Sequence, residues 1–123
     1  LIIDYGYFEK KMRNTLKAIS DHKYTNVLKD FGKSDITYNL NFYLFKKIIH
    51  RIGGLKNMMT TQGKFLVKMG IKKRAEIISK SKNFSKKVDI YFRLKRLIDD
   101  QHMGNIFKVM FIKRQNNNYK LGF

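Results

Sequence analysis

The sequence predicts a mainly α-helical fold of five to six amphipathic helices, followed by a C-terminal β-hairpin that is called the ribbon below. Three observations lead to this prediction. Apolar residues recur every three or four positions along most of the chain, as they do on one face of a helix. Gly53 and Gly104 stand where such runs stop. After Gly104 the apolar residues become nearly continuous and a cluster of asparagines follows, which is typical of two strands joined by a turn.

Two helices and a short turn are predicted in the first half of the chain. Asp4 is a candidate N-cap, and the apolar stripe that follows it is Phe8, Met12, Leu16 and Ile19. A short turn follows, with Phe31 among its apolar residues. The clearest helix begins at Ser34 or Asp35 and ends at the pair Gly53–Gly54. Its apolar residues recur at intervals of four, and we expect this helix to be the most buried: Ile36, Leu40, Leu44, Ile48 and Ile52.

The second half predicts three helices and the ribbon. Residues 63–78 form two short helices with a bend at Gly70, and Ser85 caps a further helix that includes Leu94 and Ile98. The ribbon consists of an apolar strand over residues 105–113, a turn at residues 116–118 and a returning strand over residues 119–123. We divide the chain into a helical N-terminal extension, residues 1–60, and a helical RNA-binding region that ends in the ribbon, residues 61–123.

The charge of the chain predicts a polyanionic partner. The 123 residues include 27 Lys and Arg against 9 Asp and Glu, a formal net charge of +18. A hydrophobic content of 43% argues against a disordered basic tail, so the chain should fold. So many like charges repel one another in a compact monomer, and nucleic acid relieves this best because phosphate binding also releases counterions. An acidic membrane surface and an acidic protein are weaker alternatives.

Catalysis and metal binding have little support in the sequence. Without cysteine, thiolate chemistry and disulfides are excluded. The three histidines are far apart, and the pair Asp99–Asp100 beside His102 is the one tight acid–base cluster. It stands near the end of a predicted helix, where acids usually offset neighbouring lysines. We therefore predict no enzyme, no cofactor, no metal and no membrane span, since the longest uncharged stretch is about half the length that a bilayer helix needs.

The basic residues of the second half are the predicted RNA-binding site. They form a dense run on the helices and recur beside the ribbon turn, where Tyr119 could also stack on a base. The complete set is Lys64, Lys68, Lys72, Lys73, Arg74, Lys80, Lys82, Lys86, Lys87, Lys113, Arg114, Tyr119 and Lys120.

Two separated segments resemble the family of small-subunit ribosomal protein seven. The first is Lys64-Phe65-Leu66, Met69-Gly70, Lys72-Lys73 and Ala75-Glu76-Ile77-Ile78. The second is Val109–Ile112, Lys113-Arg114, the asparagine turn and Tyr119-Lys120-Leu121-Gly122. Gly122 replaces the proline that closes the family's ribbon, and residues 1–60 match no part of the family. The family's helices after the ribbon have no counterpart here, which leaves room for a second chain that completes the fold.

The resemblance implies a structural constituent of an organelle ribosome, with small-subunit rRNA and neighbouring ribosomal proteins as partners. The residue usage, rich in Lys, Ile, Asn and Phe and without Pro, is typical of an AT-rich organelle genome and favours the mitochondrion over the plastid. The alternative function is an accessory structural subunit of a mitochondrial respiratory-chain complex or ATP synthase. The two predict different fractionation, with ribosomal particles or with membranes.

Overall fold

The computed structural model describes residues 1–29 and 32–123 and has a mixed α/β architecture, so the prediction of a mainly α-helical fold is wrong. The strands are β1 (Ile2–Tyr7), β2 (Lys17–Ser20), β3 (Lys23–Thr25), β4 (Asp35–Thr37), β5 (Leu40–Asn41), β6 (Leu55–Thr61) and β7 (Phe107–Arg114). The helices are α1 (Phe42–Ile52), α2 (Gln62–Lys68), α3 (Ile71–Ser79), α4 (Phe84–Ile98) and α5 (Met103–Ile106). Phe31, predicted to lie in a short turn, is outside the described residues.

A four-stranded sheet in the order β5-β1-β7-β6 organises the fold. Strand β7 lies between β1 and β6 and is antiparallel to both, with Tyr5 opposite Phe107 and Thr61 opposite Lys108. Strand β5 is parallel to β1 over two residues, with Gly6 opposite Leu40. The first and last strands of the chain are therefore neighbours, and their pairing joins segments that are far apart in sequence.

The first predicted helix is wrong because residues 2–7 form β1. This segment combines isoleucine and tyrosine with an alternation of more and less exposed residues, as expected for a strand. The four-residue spacing of Phe8, Met12 and Leu16 belongs to the connection between β1 and β2, where all three side chains are exposed. Pairing with β7 overrides the local helical pattern, a tertiary effect that spacing within one segment does not reveal.

Helix α1 covers one face of the sheet and carries the main core. Phe42 and Ile49 are buried against Met110 of β7. The helix begins at Phe42, later than predicted, because the side chain of Asn41 accepts hydrogen bonds from the Tyr43 and Leu44 amides; it ends at Gly53, as predicted. Of the predicted apolar stripe, Leu40 packs against this core from β5, but the residues on α1 do not form its buried face. Its α1 members are partly exposed: Leu44 at 44%, Ile48 at 46% and Ile52 at 67%.

Helices α2 to α5 form a helical lobe, residues 62–106, next to the sheet. The predicted pair of helices with a bend at Gly70 is confirmed by α2 and α3, where Gly70 has a positive φ of 85°. The predicted third helix is confirmed by α4, although its N-cap is Asn83 rather than Ser85 and it ends at Ile98 rather than at Gly104, which lies in α5. At the centre of the lobe, Gly63 and Gly104 both approach the backbone carbonyl of Ile98 too closely to accommodate a Cβ.

A second, three-stranded sheet in the order β3-β2-β4 stands between β1 and α1 in the chain. Its first hairpin turns through Asp21 and His22, which both have positive φ, as a two-residue turn of this kind requires. Ala18 on β2 is almost fully buried. Its strands β2 and β4 occupy residues that were predicted to be helical.

The predicted ribbon is half right. Its apolar strand is present as β7, but β7 pairs with β1 and β6, and residues 119–123 form no strand. The C-terminal residues instead pack by their aromatic rings, with the centroid of Phe123 5.4 Å from that of Phe65 and 6.0 Å from that of Phe111. The division of the chain after residue 60 stays a prediction; β6 runs through that point.

No helix in the described part of the chain is long and apolar enough to cross a membrane.

Candidate active site

An open cavity of about 510 Å³ lies at the carboxyl end of β1. Its floor is the end of that strand, Tyr5 to Tyr7, and one wall is the loop that follows, residues 8–16. Asn39 precedes β5, and Asn105 and Lys108 come from the junction of α5 and β7. The carboxyl ends of strands in open α/β sheets are where ligands usually bind, because side chains from several connections meet there.

The loop over residues 8–16 is held in place by Tyr7. The Tyr7 side chain is 7% exposed, and its hydroxyl accepts a hydrogen bond of 3.0 Å from the Arg13 backbone amide. The same hydroxyl lies 4.0 Å from the Met12 sulfur, and the Arg13 guanidinium carbon is 5.3 Å from the centroid of the Tyr7 ring. One buried tyrosine therefore fixes both the backbone and the cation at the rim of the cavity.

Glu9 and Arg13 form a two-point ion pair at this rim. Arg13 Nε donates to Glu9 Oε2 at 2.8 Å, and Arg13 Nη2 contacts Glu9 Oε1. The hydrogen bond and the charge of Glu9 raise the pKa of Arg13 above its ordinary value. Both side chains are about half exposed, so the pair contributes little to stability in water. It does show that the cavity presents a carboxylate in the geometry that binds a planar guanidinium.

Lys108 forms the opposite wall. Its Nζ donates to the Asn105 backbone oxygen at 2.6 Å and to Asn105 Oδ1 at 3.0 Å. Partial burial lowers the pKa of Lys108, and the nearby charge of Asp100 acts in the opposite direction. The cavity therefore combines one carboxylate and two cations with tyrosine and asparagine side chains.

The cavity was not predicted from the sequence, because its residues meet only when β1, β5 and β7 pair. A signal was nevertheless available. Residues 1–7 are a mostly apolar run with a glycine, Gly6, just before its last residue, and a glycine near the end of a strand is frequent at ligand sites of α/β folds. The helical reading of residues 4–19 obscured it.

None of the predicted RNA-binding residues lines this cavity. Ten of them are on helices α2 to α4 and their connections or on the tail: Lys64, Lys68, Lys72, Lys73, Arg74, Lys80, Lys82, Lys86, Lys87 and Lys120. Lys113 and Arg114 end β7, and Lys113 Nζ donates to the Tyr119 backbone oxygen at 2.7 Å. Lys113 is only 9% exposed, whereas Arg114 and Tyr119 are exposed. The predicted residues are thus spread over the helices, the end of β7 and the tail.

Within residues 1–29 and 32–123, His, Asp and Glu side chains form no group of three that could hold a metal ion.

Residues 1–61 match the model of a protein family described as "Putative S-adenosyl-L-methionine-dependent methyltransferase". The chain is also similar to proteins named protein arginine methyltransferase NDUFAF7, mitochondrial. It is 26% identical to that of Xenopus tropicalis over 117 residues and 30% identical to that of Danio rerio over 109 residues. These alignments cover 94% and 88% of the chain, but only 27% and 25% of the relatives. The chain thus spans about a quarter of the relatives' length.

Two solved structures from Burkholderia thailandensis share the fold. One is an uncharacterized protein, with a TM-score of 0.77 and 24% identity over 98% of this chain and 33% of its own. The other, from the same superfamily, was solved with bound S-adenosyl-homocysteine and has a TM-score of 0.75 at 21% identity, covering 98% of this chain and 32% of its own. At these identities the likeness concerns the fold alone.

These comparisons correct the functional predictions. The resemblance to small-subunit ribosomal protein seven is wrong, since the matched family and the named relatives are methyltransferases. The ribosomal and translational role, the respiratory or ATP synthase subunit, and rRNA with ribosomal proteins as partners are wrong for the same reason. The prediction of no enzyme is also wrong. A high positive charge identifies no particular polyanion, and the two matched motifs were short. The mitochondrial location is confirmed by the names of the relatives.

The residues at the end of β1 do not by themselves fit S-adenosylmethionine. A glycine that ends a strand can give a nucleoside close access to the backbone. Here the space above Gly6 is filled by the Phe42 ring, which a Cβ on Gly6 would contact at 2.6 Å from Cδ2. The carboxylate that lines this cavity, that of Glu9, is held by Arg13. The cavity suits a substrate side chain better than a methyl donor.

Proposed function

We propose that this chain is the acceptor-side part of a mitochondrial S-adenosylmethionine-dependent methyltransferase that modifies arginine side chains of proteins. The observation that carries the proposal is the alignment of 88–94% of the chain with relatives named protein arginine methyltransferases. The family match over residues 1–61 supports it, because this range includes β1 and the loop that borders the cavity. Since the chain spans about a quarter of those relatives, we expect the methyl donor to be bound by other residues of the enzyme.

The chemistry of the cavity agrees with a guanidinium acceptor. Glu9 already binds one guanidinium, that of Arg13, by two hydrogen-bonding contacts. Such a contact fixes the plane of the guanidinium as well as its position. Methyl transfer needs an acceptor nitrogen aligned with the methyl group, so fixing that plane lowers the entropic part of the barrier. We therefore assign to Glu9 the role of holding the acceptor, in exchange for Arg13.

The test is a methyl-transfer assay on the protein in the assembly in which it occurs in mitochondria, isolated through an affinity tag. The assembly is incubated with S-adenosyl-L-methionine labelled in the methyl group and with mitochondrial proteins, and the labelled amino acid is identified after hydrolysis. We expect label on arginine. Label on another amino acid would contradict arginine as the acceptor, and the absence of label would contradict methyltransferase activity.

Glu9→Gln tests the residue assignment separately. The amide keeps the size of the side chain but removes its charge, and a charge-assisted hydrogen bond of about 1.5–3 kcal/mol corresponds to a fall of about 10- to 150-fold in kcat/KM. Lys10→Gln is the matched control, because Lys10 is an exposed neighbour on the same loop. Equal activities of the two variants would show that Glu9 does not hold the acceptor. The proposed reaction itself would be unaffected by that result.

A further inference from the structure

The helical lobe contains a groove between α3 and α4 that is separate from the cavity at β1. Two adjoining hollows, of about 540 Å³ and 220 Å³, share Lys72, Tyr91 and Leu94 as walls. Residues at intervals of three and four on each helix line the groove: Lys72 and Ala75 on α3, and Tyr91, Leu94 and Ile98 on α4. The hollows therefore form one channel that follows the helix pair.

The floor of the groove is apolar and still accessible. Leu94 and Ile98 are half-buried, and Tyr91 is 59% exposed. From Lys87 to Ile98, α4 rises about 17 Å, which is about three helical turns. A parallel-sided apolar channel of this length, between two packed helices, fits a third helix of similar length by its own apolar face.

The rim of the groove is basic. Residues 62–98 contain twelve Lys and Arg and only two Asp and Glu. Lys72, Lys87 and Lys95 stand along the channel and form no ion pair within the described ranges 1–29 and 32–123. Glu76 also lines it but is paired with Lys73 at 3.0 Å. Asp89, the second acid of this range, is paired with Arg93 at 3.0 Å, and Asp99, just beyond the range at one end of the groove, accepts a hydrogen bond from the Gln101 amide.

We propose that this groove binds an acidic amphipathic helix of a partner protein, with apolar side chains of the helix on Leu94 and Ile98 and its carboxylates at Lys72, Lys87 and Lys95. Apolar burial supplies affinity, and the lysines select an acidic sequence and fix its register. The excess of positive charge in the lobe is thereby compensated by a protein rather than by a nucleic acid. The inference concerns a second surface and does not rest on the methyl-transfer proposal.

The probe for the test is a fluorescein-labelled peptide of about twelve residues, with leucines at intervals of three and four and glutamates on the other face. A peptide of the same composition in scrambled order is the control for charge alone. Fluorescence anisotropy is measured with the whole protein at about 0.15 M salt, where charges more than about 8 Å apart are largely screened. We expect the amphipathic peptide to bind at least about tenfold more tightly than the scrambled one.

Two charge-reversal variants locate the site. Lys72→Glu with Lys95→Glu changes the groove, and Lys80→Glu with Lys82→Glu makes the same change in net charge at the end of the lobe. We expect the affinity for the amphipathic peptide to fall at least about tenfold for the first pair and at most about threefold for the second. Tyr91→Ala, which removes a wall of the groove without changing charge, should also weaken binding. Circular dichroism of each variant checks that it is folded.

Several results would overturn the proposal. If the ordered and scrambled peptides bind equally well, or if the two charge variants lose equal affinity, the peptide is attracted by charge in general and not by a defined site. No binding of the ordered peptide would show that the groove is covered by another part of the protein. Vesicles containing phosphatidylserine test the lipid alternative: vesicle binding that depends on Lys72 and Lys95, and that the peptide does not displace, would assign the surface to a membrane.

Discussion

Gly6 of β1 lies directly beneath the ring of Phe42, the first residue of α1. A Cβ at position 6 would lie 2.6 Å from Phe42 Cδ2 and 2.7 Å from the Leu40 carbonyl oxygen. Phe42 is fully buried and belongs to the main core, so the contact links the end of the strand at the cavity to the helix that covers the sheet.

Gly6→Ala should therefore destabilise the protein by about 1–3 kcal/mol, because the added methyl group overpacks a site closed by an aromatic ring and a backbone oxygen. The measurement is urea unfolding followed by circular dichroism. Adding Phe42→Leu to Gly6→Ala should recover part of the loss, since the smaller side chain leaves room for the methyl group. Additive effects of the two substitutions would contradict the predicted contact.

Gly104→Ala should be at least as damaging. Its Cβ would lie 2.6 Å from the Asp99 backbone oxygen and closer still to the carbonyl of Ile98. Backbone atoms at the end of α4 cannot move aside as a side chain can, so we expect a loss of about 3 kcal/mol in the free energy of unfolding. His102→Ala, an exposed position two residues earlier without a side-chain cap, should change it by less than about 0.5 kcal/mol. Similar losses of stability in Gly104→Ala and His102→Ala would contradict the close approach of Gly104 to the carbonyls at the end of α4.

Lys113→Met should loosen the C-terminal tail. The buried ammonium donates to the Tyr119 backbone oxygen, and no methionine can replace that hydrogen bond. Hydrogen exchange measured by mass spectrometry should become faster at residues 119–123, while exchange in β1 changes little. Arg114→Met removes the same charge from the exposed neighbouring side chain and should leave the tail unchanged. Protection of the tail that is equal in both variants would show that the aromatic contacts alone hold it.

Because of Lys108, the stability of the folded protein should vary with pH in the alkaline range. Burial lowers the pKa of Lys108 in the folded protein below its ordinary value of 10.5, so the unfolded chain binds more protons between the folded and unfolded pKa values. Stability from this group therefore increases as the pH rises through that window and is at its lowest below the folded pKa. The free energy of unfolding in urea is measured for the protein and for Lys108→Met between pH 7 and 10.5. As the pH rises, the free energy of unfolding of the protein should increase relative to that of the variant. A constant difference would mean that the pKa is not lowered.

Elements whose interactions lie within a few residues were predicted correctly from the sequence, whereas elements that depend on distant parts of the chain were not. Helices α3 and α4 were predicted because Gly70 and the apolar spacing act within a few residues of each other. Strand β1 was not, because its stability depends on β7 at the other end of the chain. The α1 stripe was misplaced because a spacing of four identifies an apolar side of a helix, whereas the side that becomes buried is decided by the sheet.

The functional predictions failed for a related reason. Net charge is a property of the whole surface and does not depend on the fold, so it could indicate an acidic partner without locating a site. The cavity at β1 depends on the meeting of Tyr7, Asn39 and Lys108, which come from three separate segments. Once β1 is recognised as a strand, its carboxyl end, with Gly6 and Tyr7, becomes a candidate ligand site.

The pairing of β1 with β7 also has a consequence for synthesis of the protein. Tyr5 and Phe107 are separated by roughly a hundred residues, and both β1 and β6 need β7 as their partner. A growing chain therefore carries two apolar strands with open edges until β7 has left the translating ribosome, and such edges invite aggregation. Chains released before Phe107 should be substrates for chaperones and proteases, whereas a chain extended to Arg114 can close the sheet in one step.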